Sequence, residues 1–104
     1  MARVLALVPD LLFGSRVQSM LAAAGHEVQL VSSLDDPAAA DVVVVDLTSG
    51  DVPPRPVGAA KVLAFYSHVD AEVRQRAVAA GYDMVVPRSR MAREGGELVS
   101  RLVG

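Results

Sequence analysis

The sequence VVVVD at residues 42–46 is the strongest fold signal in the chain, and VLALV at residues 4–8, which leads to Asp10, follows the same pattern. Apolar runs without polar alternation are typical of strands that are buried on both faces, as in a parallel sheet between helices. In open sheets of this kind, ligands bind outside the carboxyl ends of the strands. The sequence therefore predicts that Asp10 and Asp46 lie together at the functional edge of a sheet.

Length, charge and cysteine content limit the possible functions. The 104 residues suffice for a single domain over residues 1–104 with one core, and 52% of them are apolar. The net charge of -2 gives no general attraction to nucleic acid or to anionic membranes. Because the chain has no cysteine, disulfides, thiolate metal sites and thiol nucleophiles are excluded. The first apolar run is too short for a secretion signal or a membrane span, so we expect a cytoplasmic protein.

Hydrophobic periodicity alternates between strand and helix along the chain. Strands are predicted at residues 3–8, 28–31, 42–45, 61–66 and 84–86. Helices are predicted from about residue 12 to Gly25, from Asp70 to Gly81, and over a final segment that carries Leu98, Val99 and Leu102 on one face. This alternation predicts an α/β fold of three layers with a five-stranded parallel sheet of order 2-1-3-4-5.

Other segments contain residues that weaken regular structure. Residues 47–60 are rich in proline and glycine, so we expect this crossover to be mostly loop. A short helix is predicted over residues 38–40, between the second and third strands. Pro87 is expected to end the fifth strand, and the pair Gly95-Gly96 is expected to weaken the front of the last helix.

Five short motifs occur in the order in which one protein family carries its landmarks. They are Val8-Pro9-Asp10, Val45-Asp46-Leu47, Tyr66-Ser67-His68, Ala80-Gly81-Tyr82-Asp83 and Val86-Pro87-Arg88. With these motifs the chain resembles, over nearly its whole length, the receiver domain of bacterial two-component response regulators. The resemblance implies a flavodoxin-like, CheY-like fold, here with a shortened third crossover helix.

The resemblance also implies roles for individual residues. Asp46 would be the phospho-acceptor, Ser67 the hydroxyl group after the fourth strand, and Arg88 the residue at the position of the family's lysine. An ungapped alignment places Tyr66 at the hydroxyl position instead. Asp10 and Asp46 would be the ligands of a weakly bound Mg²⁺, which is the one cofactor that the resemblance implies.

Two substitutions depart from the pattern of this family. Pro9 replaces one of two acids, which removes a ligand from a metal that requires near-octahedral oxygen geometry. Arg88 keeps the charge of the lysine but is a larger planar group. If Arg88 pairs with Asp46, it would act as a fixed counter-ion of the acceptor. We therefore expect a degenerate site, a pseudo-receiver, with weak or no phosphorylation at Asp46.

Three functions are compatible with the sequence. The first is a stand-alone receiver-like signalling protein that binds a kinase or a regulatory protein and is not an enzyme, apart from transfer or hydrolysis of its own phosphoryl group. The second is a competent two-component phospho-acceptor that uses Asp46 and Mg²⁺. The third is a small-molecule or nucleotide-binding flavodoxin-like module, although residues 9–14 lack the glycine spacing of a pyrophosphate loop. By analogy with receivers, a homodimer would use the last two helices and the fifth strand.

The two candidate acids also have purely structural interpretations. Asp46 can cap the loop amides of residues 47–50, since aspartate commonly accepts hydrogen bonds from its own turn. Asp10 precedes a helix, where aspartate is a common N-cap. Both interpretations stay open beside the functional ones.

The histidines give no strong site. Ser67, His68 and Asp70 resemble parts of a hydrolase triad, but neighbours in sequence point apart, whereas a triad needs residues that converge across the fold. We expect His26 to be exposed in the turn after the first helix. With two histidines so placed and no cysteine, a zinc site is not expected.

Two surface features remain. The basic residues Arg88, Arg90, Arg93 and Arg101 are either a solvated face or a docking patch for an acidic partner. Of the three apolar residues 11–13 at the start of the first helix, two are expected to contact the core, and the third is available to a partner.

Overall fold

The computed structural model describes residues 2–67 and 69–104, and its elements alternate between strand and helix. The strands are β1 (Arg3–Leu7), β2 (Glu27–Leu30), β3 (Val42–Asp46), β4 (Val62–Tyr66) and β5 (Met84–Pro87). The helices are α1 (Leu11–Ala23), α2 (Ala71–Ala79) and α3 (Arg88–Val103), with a short 3-10 helix at Pro37–Ala39. Each predicted element is present, with boundaries that differ by a few residues.

The five strands pair in parallel, in the order β2-β1-β3-β4-β5. This confirms the predicted α/β sheet and its strand order. The central strands β3 and β4 are buried almost throughout, as their unbroken apolar runs predict. Because all strands run in one direction, their carboxyl ends share one side of the sheet, which we call the carboxyl edge.

The two faces of the sheet are covered unequally. One face packs against α1 and α3, and Phe13, Leu21 and Leu98 contribute to the core there. The opposite face packs against α2 and against loops, and Val73 and Tyr82 contribute to its core. Within the described residues, no helix has the length and apolar character needed to cross a bilayer.

The ends of α1 and α2 follow the sequence signals. The Asp70 side chain accepts a hydrogen bond from the Val73 amide at 3.3 Å, which caps the start of α2. Gly25 and Gly81 follow α1 and α2 with φ angles of 89° and 92°. Glycine adopts this left-handed conformation without steric cost, which explains why both helices end there.

The crossover between β3 and β4 is a loop that side chains hold in place. No helix or strand forms in residues 47–61, all of which the structure describes. The Arg55 guanidinium donates to three backbone carbonyls and to Asp83 Oδ2, the last at 2.8 Å. The Tyr82 hydroxyl donates to the Pro53 carbonyl at 2.8 Å. Polar contacts thus replace the helix that proline prevents.

The Arg55 contact also affects the acid that it binds. Burial alone would raise the pKa of Asp83, but hydrogen bonds from Arg55 and from the Val62 amide, with the charges of Arg55 and Lys61, outweigh burial and hold this pKa below its ordinary value of 3.8. Burial raises the pKa of the neighbouring Tyr82 phenol.

The last helix is regular where the sequence predicts weakness. It begins at Arg88 directly after β5, and Pro87 is both the last residue of β5 and the N-cap of α3. Gly95 and Gly96 are buried in the middle of this helix. A Cβ atom at Gly96 would lie 2.6 Å from the Cβ of Ala24, so the glycines allow α1 to approach closely. The expectation of a weakened front is therefore wrong, because tertiary packing overrides low helix propensity.

The expectation that His26 is exposed is also wrong, since only 6% of this residue is accessible. Its Nδ1 accepts a hydrogen bond from the Ala2 amide at 3.1 Å. The ring proton is therefore on Nε2, which lies 3.2 Å from the Gly96 carbonyl and 3.0 Å from Ser100 Oγ. The histidine thus connects Ala2, which precedes β1, to α3, whose Gly96 is 70 residues away from His26 in the chain.

Candidate functional site

A cleft of about 600 Å³ opens at the carboxyl edge, between the end of the sheet and the starts of α1 and α3. Asp10, Asp46, Ser67 and Arg88 all line it. The residues that the sequence singled out therefore come together in space, although they are far apart in the chain. Their chemical roles are a separate question, which depends on the contacts that each side chain makes.

Asp10 is committed to the start of α1. Its Oδ1 accepts hydrogen bonds from the Leu12 and Phe13 amides at 3.0 and 3.1 Å. Its Oδ2 lies 3.9 Å from a guanidinium nitrogen of Arg88. The structural interpretation of Asp10 as an N-cap is therefore confirmed, and one carboxylate oxygen faces the cleft beside a cation.

Asp46 ends β3 and binds its own loop. Its Oδ1 accepts hydrogen bonds from the Thr48 amide at 2.8 Å and from the Thr48 hydroxyl at 2.6 Å. This is the turn contact that the structural interpretation of Asp46 predicts. The contact uses one oxygen of the carboxylate, so an acceptor role for the other oxygen remains compatible with the geometry.

Arg88 lies over the ring of Phe13, which also lines the cleft. Its guanidinium carbon is 4.0 Å from the centroid of the Phe13 ring, a distance typical of a cation–π contact. Its side chain is half exposed, as is that of Asp10. The hypothesis of an Arg88–Asp46 pair is wrong for this structure, because the described residue that pairs with Arg88 is Asp10.

The position of the hydroxyl group after β4 is now clear. Tyr66 is 7% exposed and packs in the core on the α2 face of the sheet. Ser67 lines the cleft. Ser67, and not Tyr66, thus lines the same cleft as Asp46. His68 lies outside the described residues, so its predicted lack of a catalytic role stays a prediction.

The arginine cluster divides into a cleft residue and a solvated group. Arg90 and Arg93 both contact Glu94, at 3.4 and 3.7 Å. Arg101 donates to Glu97 at 2.6 Å. The Arg90–Glu94 and Arg101–Glu97 pairs join neighbouring turns and are typical of a solvated helix face, whereas Arg93 contacts the residue next to it in the chain. Arg88 is the member of the cluster that lines the cleft.

Sequence reasoning did not assign five further lining residues to the cleft, namely Phe13, Arg16, Thr48, Ser89 and Ala92. Phe13 and Arg16 follow Asp10 at helical spacing, which would have placed them on the same side of α1. Thr48 is two residues after Asp46, the usual spacing for an aspartate turn. Ser89 carries no sequence signal beyond its place at the start of α3.

The cleft offers two carboxylates to a divalent metal such as Mg²⁺. Asp10 and Asp46 each use Oδ1 for backbone contacts, which leaves their Oδ2 atoms as the side-chain ligands for a metal. The described residues contain no group of three acids, histidines or cysteines that could hold a metal ion. Mg²⁺ often binds through one or two carboxylates with waters and phosphate oxygens, so the two acids fit this metal as a minimal set.

Comparison with solved structures identifies the fold. A response regulator receiver protein from Burkholderia phymatum is 23% identical and matches with a TM-score of 0.78 over 100% of this chain and 96% of its own. The non-phosphorylated HemR receiver domain from Leptospira biflexa is 19% identical, with a TM-score of 0.76 over 100% of this chain and 95% of its own. This chain has the receiver fold. The family resemblance of the sequence is thus confirmed at the level of fold.

A further receiver domain is informative about metals. It belongs to the sensor histidine kinase PA1611 from Pseudomonas aeruginosa and is 14% identical, with a TM-score of 0.74 over 99% of this chain and 98% of its own. That domain has a magnesium ion coordinated in its active site cleft. No protein-family model and no curated protein matches the present sequence.

Proposed function

We propose that this chain is a cytoplasmic receiver-like signalling module that acts through protein contacts and is phosphorylated weakly or not at all at Asp46. The observation that carries the proposal is the shortage of metal ligands beside Asp46: Pro9 lines a pocket with Asp10 and Asp46 and has no side-chain oxygen, and Arg88 lies 3.9 Å from Asp10. A side-chain cation already lies against one of the two acids that a divalent metal would need. Loss of a metal ligand and gain of a counter-ion both weaken the site in the same direction.

The shortage of metal ligands should slow phosphoryl transfer to Asp46. A carboxylate nucleophile attacks phosphorus in line, and most of the catalysis comes from positioning and from neutralisation of the phosphoryl charge. Asp46 supplies the nucleophilic oxygen in this scheme, and Mg²⁺ supplies charge neutralisation when it is bound. Pro9 lies next to Asp46 and has no side-chain oxygen to offer the metal. We therefore expect slow and incomplete modification.

Ser67 and Arg88 would bind the phosphoryl oxygens of a modified Asp46. Arg88 contacts the Phe13 ring and Asp10, and we expect it to exchange these contacts for contacts with a phosphoryl group. An exposed ion pair and an exposed cation–π contact each contribute little, on the order of 1 kcal/mol or less. The free-energy cost of breaking these two contacts is small. The scarcity of metal ligands is therefore the main reason to expect slow phosphorylation of Asp46.

A competent phospho-acceptor is the alternative function. It is favoured by the arrangement of Asp46, Ser67 and Arg88 around one open cleft. A small-molecule or nucleotide binder is a weaker alternative, which a thermal-shift screen with nucleotides and flavins would test. A kinase or a regulatory protein is the partner that the proposal requires, and a homodimer through α2, β5 and α3 is the arrangement expected by analogy.

Incubation with acetyl phosphate and Mg²⁺, followed by intact mass measurement, tests the proposal. We expect a minor fraction of chains to gain one phosphoryl group, and this fraction should vanish in Asp46→Asn. Asp51→Asn is the matched control, because Asp51 is an exposed aspartate in the loop after β3. Stoichiometric modification of the wild type that is lost in Asp46→Asn and kept in Asp51→Asn would establish the phospho-acceptor instead.

A further inference from the structure

Arg16 is a second arginine of the cleft, and the proposed function gives it no role. It lies on α1 three residues after Phe13, so the two side chains share one face of the helix. Both of them line the cleft together with Asp46. Within residues 2–67 and 69–104, Arg16 forms no ion pair. The cleft therefore contains a cation whose charge no described acid compensates by direct contact.

The helix around Arg16 supplies no acid that could hold it on the surface. Residues three or four positions away from Arg16 are Leu12, Phe13, Ser19 and Met20, and none of them is charged. Leu12 is 87% exposed, and of residues 11–13 only Phe13 is buried, where the sequence predicts two core contacts. By contrast, arginines of α2 and α3 pair with a glutamate one turn away, namely Arg76, Arg90 and Arg101. Arg16 is thus available to an anion in the cleft.

Phe13 connects Arg16 to the other arginine of the cleft. The guanidinium of Arg88 lies 4.0 Å from the centroid of the Phe13 ring. Arg16 follows Phe13 by one turn of α1, so Phe13 neighbours both arginines. Asp10 offsets the charge of Arg88, from which it is 3.9 Å away. The two arginines therefore border the same cleft, and one of them lacks a counter-ion there.

The charge of the cleft decides what the second arginine can do. Among the described residues, two aspartates and two arginines are the charged side chains that line the cleft, so their charges balance. A phosphoryl group brings roughly two negative charges at neutral pH, in place of the single charge of the Asp46 carboxylate. A divalent metal would offset this charge, but Pro9 gives such a metal no ligand. Two guanidinium groups carry the same formal charge as one divalent metal, and they bind phosphate oxygens well.

We infer that Arg16 and Arg88 together neutralise the phosphoryl group that Asp46 accepts, so that phosphorylation of this chain does not require a divalent metal. With acetyl phosphate, Asp46 Oδ2 forms a bond to phosphorus while the bond from phosphorus to the acetate oxygen breaks, and acetate leaves with the electron pair. The inference rests on the proposed function in that Asp46 is the acceptor. It adds a positioning role for Arg16 and a mode of charge neutralisation.

The first test is the metal dependence of the wild type. The full chain is incubated with acetyl phosphate in excess EDTA and, in parallel, in Mg²⁺, and the rate of phosphoryl gain is followed by intact mass. We expect the two rates to agree within about twofold, because the metal adds little charge neutralisation at a site with few ligands. Asp46→Asn should gain no mass in either condition, which excludes modification elsewhere.

The second test removes the charge of Arg16. In EDTA, Arg16→Ala should react about tenfold more slowly than the wild type, as expected when one charge-assisted contact to the phosphoryl group is lost. Mg²⁺ should restore part of this loss, so the variant should become metal-dependent. A purely structural effect of the substitution would not create metal dependence. Arg16→Lys keeps the charge and should retain most of the reaction in EDTA.

Arg74→Ala is the matched control, because Arg74 is an exposed arginine of α2 that does not line the cleft. Its rates should equal those of the wild type in both conditions. Denaturation curves of the three arginine variants check that each of them is folded. The comparison of EDTA with Mg²⁺ on the wild type keeps the test valid if Arg16→Ala is not folded.

Three results would overturn the inference. They are phosphorylation of the wild type that needs Mg²⁺, absence of phosphorylation in both conditions, and equal rates of Arg16→Ala and Arg74→Ala in EDTA. Failure of the proposed function looks different. Stoichiometric modification in both EDTA and Mg²⁺ would reject weak phosphorylation and keep the inference, whereas a minor modification that needs Mg²⁺ would keep the proposed function and reject the inference.

Discussion

Under the proposed function, Pro9 is the residue whose replacement should change metal binding at the cleft most directly. It lines a small pocket together with Asp10 and Asp46, so an acid at this position would face both carboxylates. Pro9→Asp should raise the affinity for Mg²⁺ roughly tenfold, because one more carboxylate joins the ligand set. Titration calorimetry measures this affinity, and the acetyl phosphate reaction should accelerate in parallel.

Pro9→Ala is the control for this prediction, since it removes the ring without adding an oxygen. Its affinity for Mg²⁺ should equal that of the wild type. Equal affinities in Pro9→Asp and Pro9→Ala would show that the missing acid is not what limits the site.

His26 is the buried polar residue whose loss should be most costly. In His26→Ala the Ala2 amide loses its hydrogen-bond acceptor within the protein interior. A buried donor without a partner costs about 2 kcal/mol, in addition to the lost packing of the ring. Chemical denaturation should therefore show a free energy of unfolding that is lower by at least this amount.

Ser100→Ala provides the comparison for His26. It removes one neighbour of Nε2 but keeps the Gly96 carbonyl within reach at 3.2 Å. Its effect should stay near 1 kcal/mol or below, the usual range for one hydrogen bond. Similar losses in His26→Ala and Ser100→Ala would contradict the role given to the Ala2 contact.

At the scale of elements, the pair of Arg55 and Asp83 should make the loop after β3 sensitive to acid. The folded pKa of Asp83 is lowered, so the contribution of its charged form is complete above the unfolded value of about 3.8 and is lost as the pH falls through the folded pKa. Asp83→Asn should therefore lose less stability than the wild type between about pH 5 and pH 2. Denaturation curves over this range measure the difference.

Asp51→Asn is the matched control for the pH dependence, because it replaces an exposed aspartate of the same loop. Its decrease of stability with falling pH should follow that of the wild type. The assignment to Asp83 fails if Asp51→Asn and Asp83→Asn have the same pH dependence, or if Asp83→Asn keeps that of the wild type.

For the whole molecule, the unequal cover of the two sheet faces predicts unequal stability. One face packs against two helices, whereas part of the other face packs against a loop that Arg55 holds through its guanidinium. Arg55→Ala should therefore accelerate amide hydrogen exchange in residues 50–60 while α1 and α3 keep wild-type rates. Arg74→Ala, a surface change on α2, is the control and should leave this loop unchanged. Uniform acceleration over the whole chain would contradict such local unfolding.

The parts of the molecule that local patterns determine could be predicted from the sequence. The apolar runs of β1 and β3 predicted the parallel sheet, and Gly25 and Gly81 marked helix ends because their conformational freedom suits those turns. The convergence of Asp10 and Asp46 followed from strand direction alone. The chemical roles of these two acids could not be predicted, because an aspartate at the end of a strand suits both loop capping and metal binding.

The errors concern contacts between distant segments. His26 is buried because its polar partners come from the other end of the chain, and sequence spacing gives no sign of them. Arg88 contacts Asp10 and Phe13, since the choice among nearby acids depends on side-chain geometry. Gly95 and Gly96 have poor helix propensity, but their packing against α1 decides their conformation.

The two glycines of α3 have different neighbours, and this difference determines which substitutions each position can accept. An added methyl group at Gly95 would meet the side-chain ends of Met20 and Met91, at 2.6 and 3.0 Å, whereas at Gly96 it would meet the Cβ of Ala24 at 2.6 Å. A thioether chain can rotate aside, but a methyl group fixed to the backbone of α1 cannot. Position 95 can therefore accept alanine without a second substitution. Alanine at position 96 is expected to require glycine at position 24.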